Sequence, residues 1–233
     1  MAPQDPVLHW SPNQYRPHAE YTYKFTANGQ LRMYVSYPFD WRPSDRRPAI
    51  LFFHGGGWNS GTPAQFFRHV AYLASRGMVA GSVQYRLKST HEARVADCVR
   101  DARSAIRYLR ARAGGLGIDP DRILAGGGSA GGHLAFACAM FDGPEEPGED
   151  TAIPCDVAAL VQFNPVLAFR QAARDRFGLT EDEGRRLSPM EHLSPALPPT
   201  IMFFGAEDTT CPQFREFTEK ARSLGCRVDL HVY

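Results

Sequence analysis

Short, continuously apolar runs alternate with amphipathic helical patterns along most of this chain, and that alternation limits the folds open to it. Strand-like runs fall at Tyr21–Thr26, Leu31–Tyr37, Ala49–Phe53, Met78–Val83, Arg122–Ala125, Val157–Phe163, Thr200–Phe204 and Arg227–Tyr233. Several, such as Ile50–Phe53 and Ile201–Phe204, carry no polar residue, which is the pattern of strands covered on both faces. Between them, Ala64–Arg76 follows Pro63, a favourable first-turn residue, and stops at Gly77, a favourable left-handed cap. Arg94–Ala111 places Val95, Val99, Ala102, Ile106 and Leu109 on one stripe at helical spacing. Further helices are predicted from Ser129 to about Met140 and from about Gln213 to Leu224. The pattern predicts an α/β fold with a mostly parallel central sheet and helices on both faces.

Its 233 residues suit one such domain, at roughly 150 residues per domain with wide latitude. Residues 20–163 and 200–233 supply the sheet and helices, and 164–199 interrupts the alternation as a short cap over the sheet's C-terminal edge, where open α/β sheets carry their sites. Gly114–Asp121 is a dense turn signal, and Asp142–Asp150 (DGPEEPGED) is a loop by composition. On Arg94–Ala111 the face opposite the apolar stripe holds Arg94, Asp97, Arg100, Asp101, Arg103, Arg107 and Arg110, and is expected to be solvated.

Charge argues against a nucleic-acid partner. Lys and Arg total 26 against 25 Asp and Glu, a net charge of +1, with no basic stripe. No apolar run approaches the roughly 18 residues of a membrane span, so no membrane association is expected. The first twenty residues hold Pro3, Pro6, Pro12 and Pro17 and no apolar stretch of the kind a signal peptide requires, which leaves the compartment open. The five cysteines (Cys98, Cys138, Cys155, Cys211, Cys226) form no C-x-x-C pair. Cys98 and Cys138 read as buried thiols, Cys211 as a structural one. Neither a metal site nor a cofactor is expected.

Gly126–Gly132 reads GGGSAGG and contains G-x-S-x-G at Gly127, Ser129 and Gly131, after a predicted strand and at the opening of a predicted helix. That context distinguishes a nucleophile elbow from an ordinary glycine turn. A crowded strand-to-helix turn needs neighbours without side chains, and it lifts the Ser129 hydroxyl above the sheet, with the Ala130 N–H free to face an oxyanion. Upstream, His54–Trp58 reads HGGGW directly after a strand, and its three glycines leave backbone N–H groups unshielded. The alternative, a phosphate-cradling loop, lacks the G-K-[ST] ending of a P-loop. Together the two loops hold eight of the 21 glycines.

HGGGW, Tyr85–Arg86–Leu87 and GGGSAGG together resemble the α/β-hydrolase esterases of the hormone-sensitive-lipase and acetyl-xylan/feruloyl-esterase type. The resemblance runs from about Leu31 to the last residue and takes in Phe163–Asn164–Pro165 and Gly205–Asp208. It implies an α/β-hydrolase fold, with Ser129 as nucleophile and the N–H groups of Gly56, Gly57 and Ala130 as the oxyanion hole. Asp208 is implied as the acid that orients a catalytic histidine, with Glu207 as its rival. The chain order Ser, acid, His is that of this fold. The implied substrate is a small-molecule or polysaccharide ester of a short acyl group, acetyl or feruloyl, with no cofactor. Trp58 and Asn164 are the candidates for sugar contact, Trp58 having packing under its loop as an equal alternative.

The histidine is the departure from this pattern. In such esterases it follows the last strand and precedes a closing helix, and here that strand, Arg227–Tyr233, holds the final residues. Of the eight histidines, His9, His18, His54, His69 and His91 precede Ser129, His133 lies one helical turn past it, and His192 falls in the cap before Asp208. His231 has the required order but belongs to a strand, whose side chains point at a sheet face. Loss of the base alone costs about 10⁶ in turnover in a comparable triad, roughly 8 kcal/mol. The expectation is therefore an esterase whose histidine, closing loop and helix lie past Tyr233; the alternative is a non-catalytic hydrolase-like binding protein.

Overall fold

The computed structural model describes residues 17–208 and 211–233, without the side chain of Cys211. The prolines before Pro17, together with His9, lie outside the described residues.

Eight strands form one sheet in the order β1-β2-β4-β3-β5-β6-β7-β8. They are β1 (Ala19–Thr26), β2 (Gly29–Ser36), β3 (Arg47–Phe53), β4 (Val79–Val83), β5 (Ile118–Gly128), β6 (Leu160–Phe163), β7 (Thr200–Phe204) and β8 (Val228–Val232). β1 and β2 pair antiparallel, β2 joins β4 antiparallel, and every pairing from β4 to β8 is parallel. The helices are α1 (Phe67–Ser75), α2 (Lys88–His91), α3 (Val95–Ala111), α4 (Ala130–Met140), α5 (Gln171–Phe177), α6 (Glu181–Arg186) and α7 (Cys211–Ser223). No helix among the described residues is long and apolar enough to cross a membrane.

Strand alternation divides the core. In β3, Ala49, Leu51 and Phe53 face the cluster formed with α3, α4 and α7, whereas Ile50 and Phe52 face Phe66 and Val70 of the α1 side. A strand packed on both faces has to be apolar at every position, as Ala49–Phe53 is. The parallel registers set Gly128 beside Phe163 and Phe163 beside Phe203. The residues that follow β3, β5, β6 and β7, namely His54, Ser129, Asn164 and Gly205, therefore emerge along one edge of the sheet.

Two expectations need correction. Gly114–Asp121 is not a turn throughout, since β5 begins at Ile118, which pairs with Arg47. The polar face of α3 is not a solvated face either. Asp101 is 0% exposed, and Arg103 and Arg107 are buried. Lys24 Nζ lies 2.7 Å from Asp101 Oδ1 and 2.7 Å from Glu146 Oε2. Arg86 grips both Asp101 oxygens, through Nη2 at 2.7 Å and Nε at 2.9 Å, while its N–H donates to Oδ2. Farther along the helix, Arg103 and Arg107 both hold Glu145. The loop 142–150 is thereby clamped onto α3, and the two guanidinium groups hold the Glu145 carboxyl down at about 2. A periodicity argument misses this, because every partner is distant in sequence.

Removing one member of a buried ion cluster leaves an uncompensated charge and costs about 3–5 kcal/mol. Asp101→Asn, which leaves Lys24 and Arg86 with Glu146 as their one carboxylate among the described residues, is expected to lower the urea unfolding free energy by about that amount; a change under about 1 kcal/mol would show the cluster to be effectively solvated.

Candidate functional site

Ser129 occupies the turn between β5 and α4 with φ 52° and ψ −116°, a left-handed backbone that few non-glycine residues adopt. Such a conformation costs on the order of 1–3 kcal/mol and persists only where its surroundings enforce it. Here they do. The Ser129 N–H donates to Phe163 O at 2.9 Å, and Ser129 O accepts from the N–H groups of His133 and Val166, both at 3.1 Å. Ser129 itself is partly exposed, between buried Gly128 and buried Ala130.

The glycines are required by contact. A Cβ on Gly131 would lie 1.9 Å from Phe53 O, and one on Gly127 would lie 2.4 Å from Gly131 C. Helix α4 thus starts with its backbone against the end of β3, the strand that leads into HGGGW.

That second loop is bound just as closely. His54 is buried, its Nδ1–H donates to Gly55 O at 2.8 Å, and its ring stacks on Tyr85 at 4.3 Å between centroids. Tyr85 Oη donates to His54 O at 2.7 Å. The Gly55 N–H donates to Gln65 Oε1 at 2.5 Å, and Gly56 O accepts from the N–H groups of Asn59 and Ser60. Gly56 and Gly57 have φ of 125° and 61°, and a Cβ on Gly56 would meet Ser60 O at 2.0 Å. Among the described residues the N–H groups of Gly56, Gly57 and Ala130 have no acceptor. The ideal Cβ position of Gly55 is 3.5 Å from Ser129 Cβ. The two glycine loops therefore meet at Ser129.

Asn164, φ 39°, is exposed on the rim directly after β6, its N–H donating to Phe203 O at 2.9 Å. Asp208 is half-buried in the turn after β7, its N–H donating to Gly205 O, and Glu207 before it is exposed. Of the two readings open for Trp58, sugar contact or packing under its loop, the structure shows packing. Trp58 is 3% exposed, perpendicular to the rings of His133 and Phe177 and tilted against Phe169. Packing beneath the loop replaces an open stacking platform, because the segment between β6 and β7 folds over the indole.

The described histidines are engaged elsewhere. His18 and His91 each accept a backbone N–H at Nδ1, from Tyr37 and Leu87. His69 lies among the rings of Phe52, Phe66 and Phe163, on the α1 side of the sheet. His192 donates to Arg186 O, and His231 stacks on Phe203 against the sheet face. His133 is fully buried and donates from Nε2 to Leu187 O at 2.7 Å; burial pushes it down to about 4. The sequence places His133 one helical turn past Ser129 but gives no sign of Leu187, 54 positions away. Burial raises the Cys98, Cys138 and Cys155 thiols above their ordinary value, so they stay protonated at neutral pH. The side chain of Cys211 lies outside the described residues. Among the described residues no group of three metal-ligating side chains comes together.

This sheet order, the serine on its tight strand-to-helix turn and the glycine loop beside it define an α/β-hydrolase fold. The chain belongs to the BD-FAE family, whose model matches residues 40–219. A thermophilic esterase from Thermogutta terrifontis, solved with propionate bound, is 43% identical and superposes with a TM-score of 0.88 over 95% of this chain and 85% of that one. The same esterase phosphonylated by sarin superposes equally well, over 92% of this chain and 82% of that one at 43% identity. The chain is 28% identical to the esterase LipC of Mycobacterium tuberculosis over 78% of its length and 50% of the relative's. It is 26% identical to a probable isoprenylcysteine alpha-carbonyl methylesterase of Arabidopsis thaliana, over 80% of its length and 44% of the relative's. The chain thus spans about half the length of these curated relatives.

Gly131→Ala forces a side chain into Phe53 O and is expected to destabilise by about 3 kcal/mol or more. Gly114→Ala, with nothing near its Cβ, is expected to stay within about 0.5 kcal/mol; equal melting temperatures for the two variants would contradict the close contact.

His133 generates a second prediction. Its value falls from the ordinary 6.5 unfolded to about 4 folded, so the stability it contributes is complete above 6.5. As pH drops toward 4 the unfolded chain takes a proton that the fold refuses, and on the order of 3 kcal/mol is lost. Urea unfolding of wild type against His133→Gln is expected to show an extra downward slope in wild type between these values; parallel curves would contradict it.

Proposed function

We propose that the protein hydrolyses carboxylic esters of short acyl groups by acyl transfer through Ser129. Ser129 Oγ attacks the ester carbonyl carbon, and the N–H groups of Gly56, Gly57 and Ala130 hold the resulting oxyanion. The alcohol leaves with a proton, and water then releases the acid from the acyl-serine. In this reading Asp208 orients a histidine following Tyr233, which takes the serine proton and returns it to the leaving alcohol. Support for that position comes from the end of β8, where the Ala206 N–H donates to Tyr233 O at 2.6 Å and the Tyr233 N–H to Phe204 O at 2.9 Å. The backbone at Tyr233 thus runs beside the turn that carries Asp208.

The observation that carries the proposal is the strained Ser129 backbone set against three unshielded N–H groups. A small acyl group fits the short segment between β6 and β7, and the related Thermogutta terrifontis esterase has been solved with propionate and with butyrate. Acetyl or feruloyl esters on polysaccharides suit the exposed Asn164 directly after β6, a polar group on the same sheet edge as Ser129. The engagement of the described histidines favours the second reading, a hydrolase-like binder without turnover.

Hydrolysis of p-nitrophenyl acetate decides between them. Wild type is expected to turn over, with acetate favoured over octanoate, and Ser129→Ala to lose about 10⁶ in kcat at unchanged melting temperature. Wild-type protein that binds the ester without turnover would establish the binder, and turnover that survives Ser129→Ala would overturn the serine mechanism.

A further inference from the structure

We infer that His133 is a positioning residue that holds the oxyanion loop, the Ser129 helix and the segment between β6 and β7 in one fixed arrangement, in its Nε2-protonated tautomer. The inference rests on the ester-hydrolase reading above.

Three elements converge on this one ring. His133 lies one turn into α4, and its N–H closes that turn on Ser129 O at 3.1 Å. Its Nε2 meets Leu187 O at 2.7 Å. A carbonyl only accepts, so the proton is on Nε2 and Nδ1 is a bare acceptor. Leu187 directly follows α6 and belongs to the segment that folds over the edge of the sheet. On the other side, the His133 ring is perpendicular to Trp58 at 5.1 Å and to Phe169 at 5.3 Å. Trp58 is the residue after Gly57, held at φ 56°, and its O accepts the Lys88 N–H.

Displacing the imidazole therefore moves Trp58, and with it the N–H groups of Gly56 and Gly57, relative to Ser129. Two buried polar atoms at this junction, Trp58 Nε1 and His133 Nδ1, have no hydrogen-bond partner among the described residues. Such orphans are costly. An arrangement built for stability alone would place an apolar ring here, as it does at neighbouring Phe169. What an apolar ring lacks is the bond to Leu187 O, and that bond is what fixes the imidazole's position and tautomer.

Phe and Gln separate the two contributions of His133. His133→Phe keeps a planar ring in the aromatic cluster and loses the donor; His133→Gln loses the ring and keeps an N–H donor at similar reach. Because the effect acts on oxyanion geometry, it belongs to kcat and not to KM. Outright loss of an oxyanion donor costs about 10²–10³, and a misplaced one is expected to cost less. His133→Phe should lower kcat for p-nitrophenyl acetate about tenfold with KM within about twofold, and His133→Gln should recover kcat to within about threefold of wild type. Wild-type kcat in His133→Phe, equal losses in both variants, or a change confined to KM would overturn the role.

Wild-type turnover that survives Ser129→Ala overturns the hydrolase reading and this inference together. Turnover that Ser129→Ala abolishes leaves His133 judged on its own variants. If neither variant folds, the ring nitrogen resonances of wild type decide: a single Nε2–H tautomer with a slowly exchanging proton is expected, and an Nδ1–H or averaging ring would overturn it.

Discussion

The close approach of α4 to the end of β3 is the constraint on which the rest of the site depends. Gly131 lies so near Phe53 O that no side chain fits between them. That contact places the strand-to-helix turn carrying Ser129 against the loop carrying Gly55–Gly57. If α4 stood off by the width of a methyl group, the backbone donors would lie too far from the serine to meet an oxyanion. The left-handed Ser129 backbone follows from the same crowding, because the chain has to turn sharply from β5 into a helix with no room to spare. Local strain and long-range register are one structural fact here, and the sheet's parallel order delivers the Asn164 and Asp208 loops to the same edge.

Much of this was legible in the chain itself. Strands could be read where the run is apolar at every position: Ile50–Phe53 is buried on both faces, and Ile201–Phe204 admits no helical face although Ile201 and Phe203 are only partly buried. The two glycine loops were legible because backbone crowding leaves a compositional trace, three and five glycines at strand ends. Family membership and the α/β-hydrolase fold agree with the resemblance those motifs carry.

Pairing over long distances was not legible. The α3 charges look like a solvated face in any window of the helix, because Lys24, Arg86, Glu145 and Glu146, which neutralise them, come from separate parts of the chain. Trp58 looked equally suited to a sugar or to packing, and the arrangement of Phe169 and Phe177 over its indole decided for packing. Likewise, nothing near His133 in sequence announces the Leu187 carbonyl. In each instance a partner outside the local window, 15 residues away for Asp101 and Arg86 and 54 for His133 and Leu187, decided what the local pattern left open or gave wrongly.

The central claim, that the crowded β5–α4 turn makes Ser129 a nucleophile, is tested most directly by covalent capture. Intact protein would be incubated with an organophosphate ester of the paraoxon class, digested, and mapped by mass spectrometry. The account predicts a single diethylphosphoryl adduct on Ser129, which also blocks hydrolysis of p-nitrophenyl acetate. A protein that stays unmodified, or one labelled at another residue while Ser129 is untouched, would contradict it.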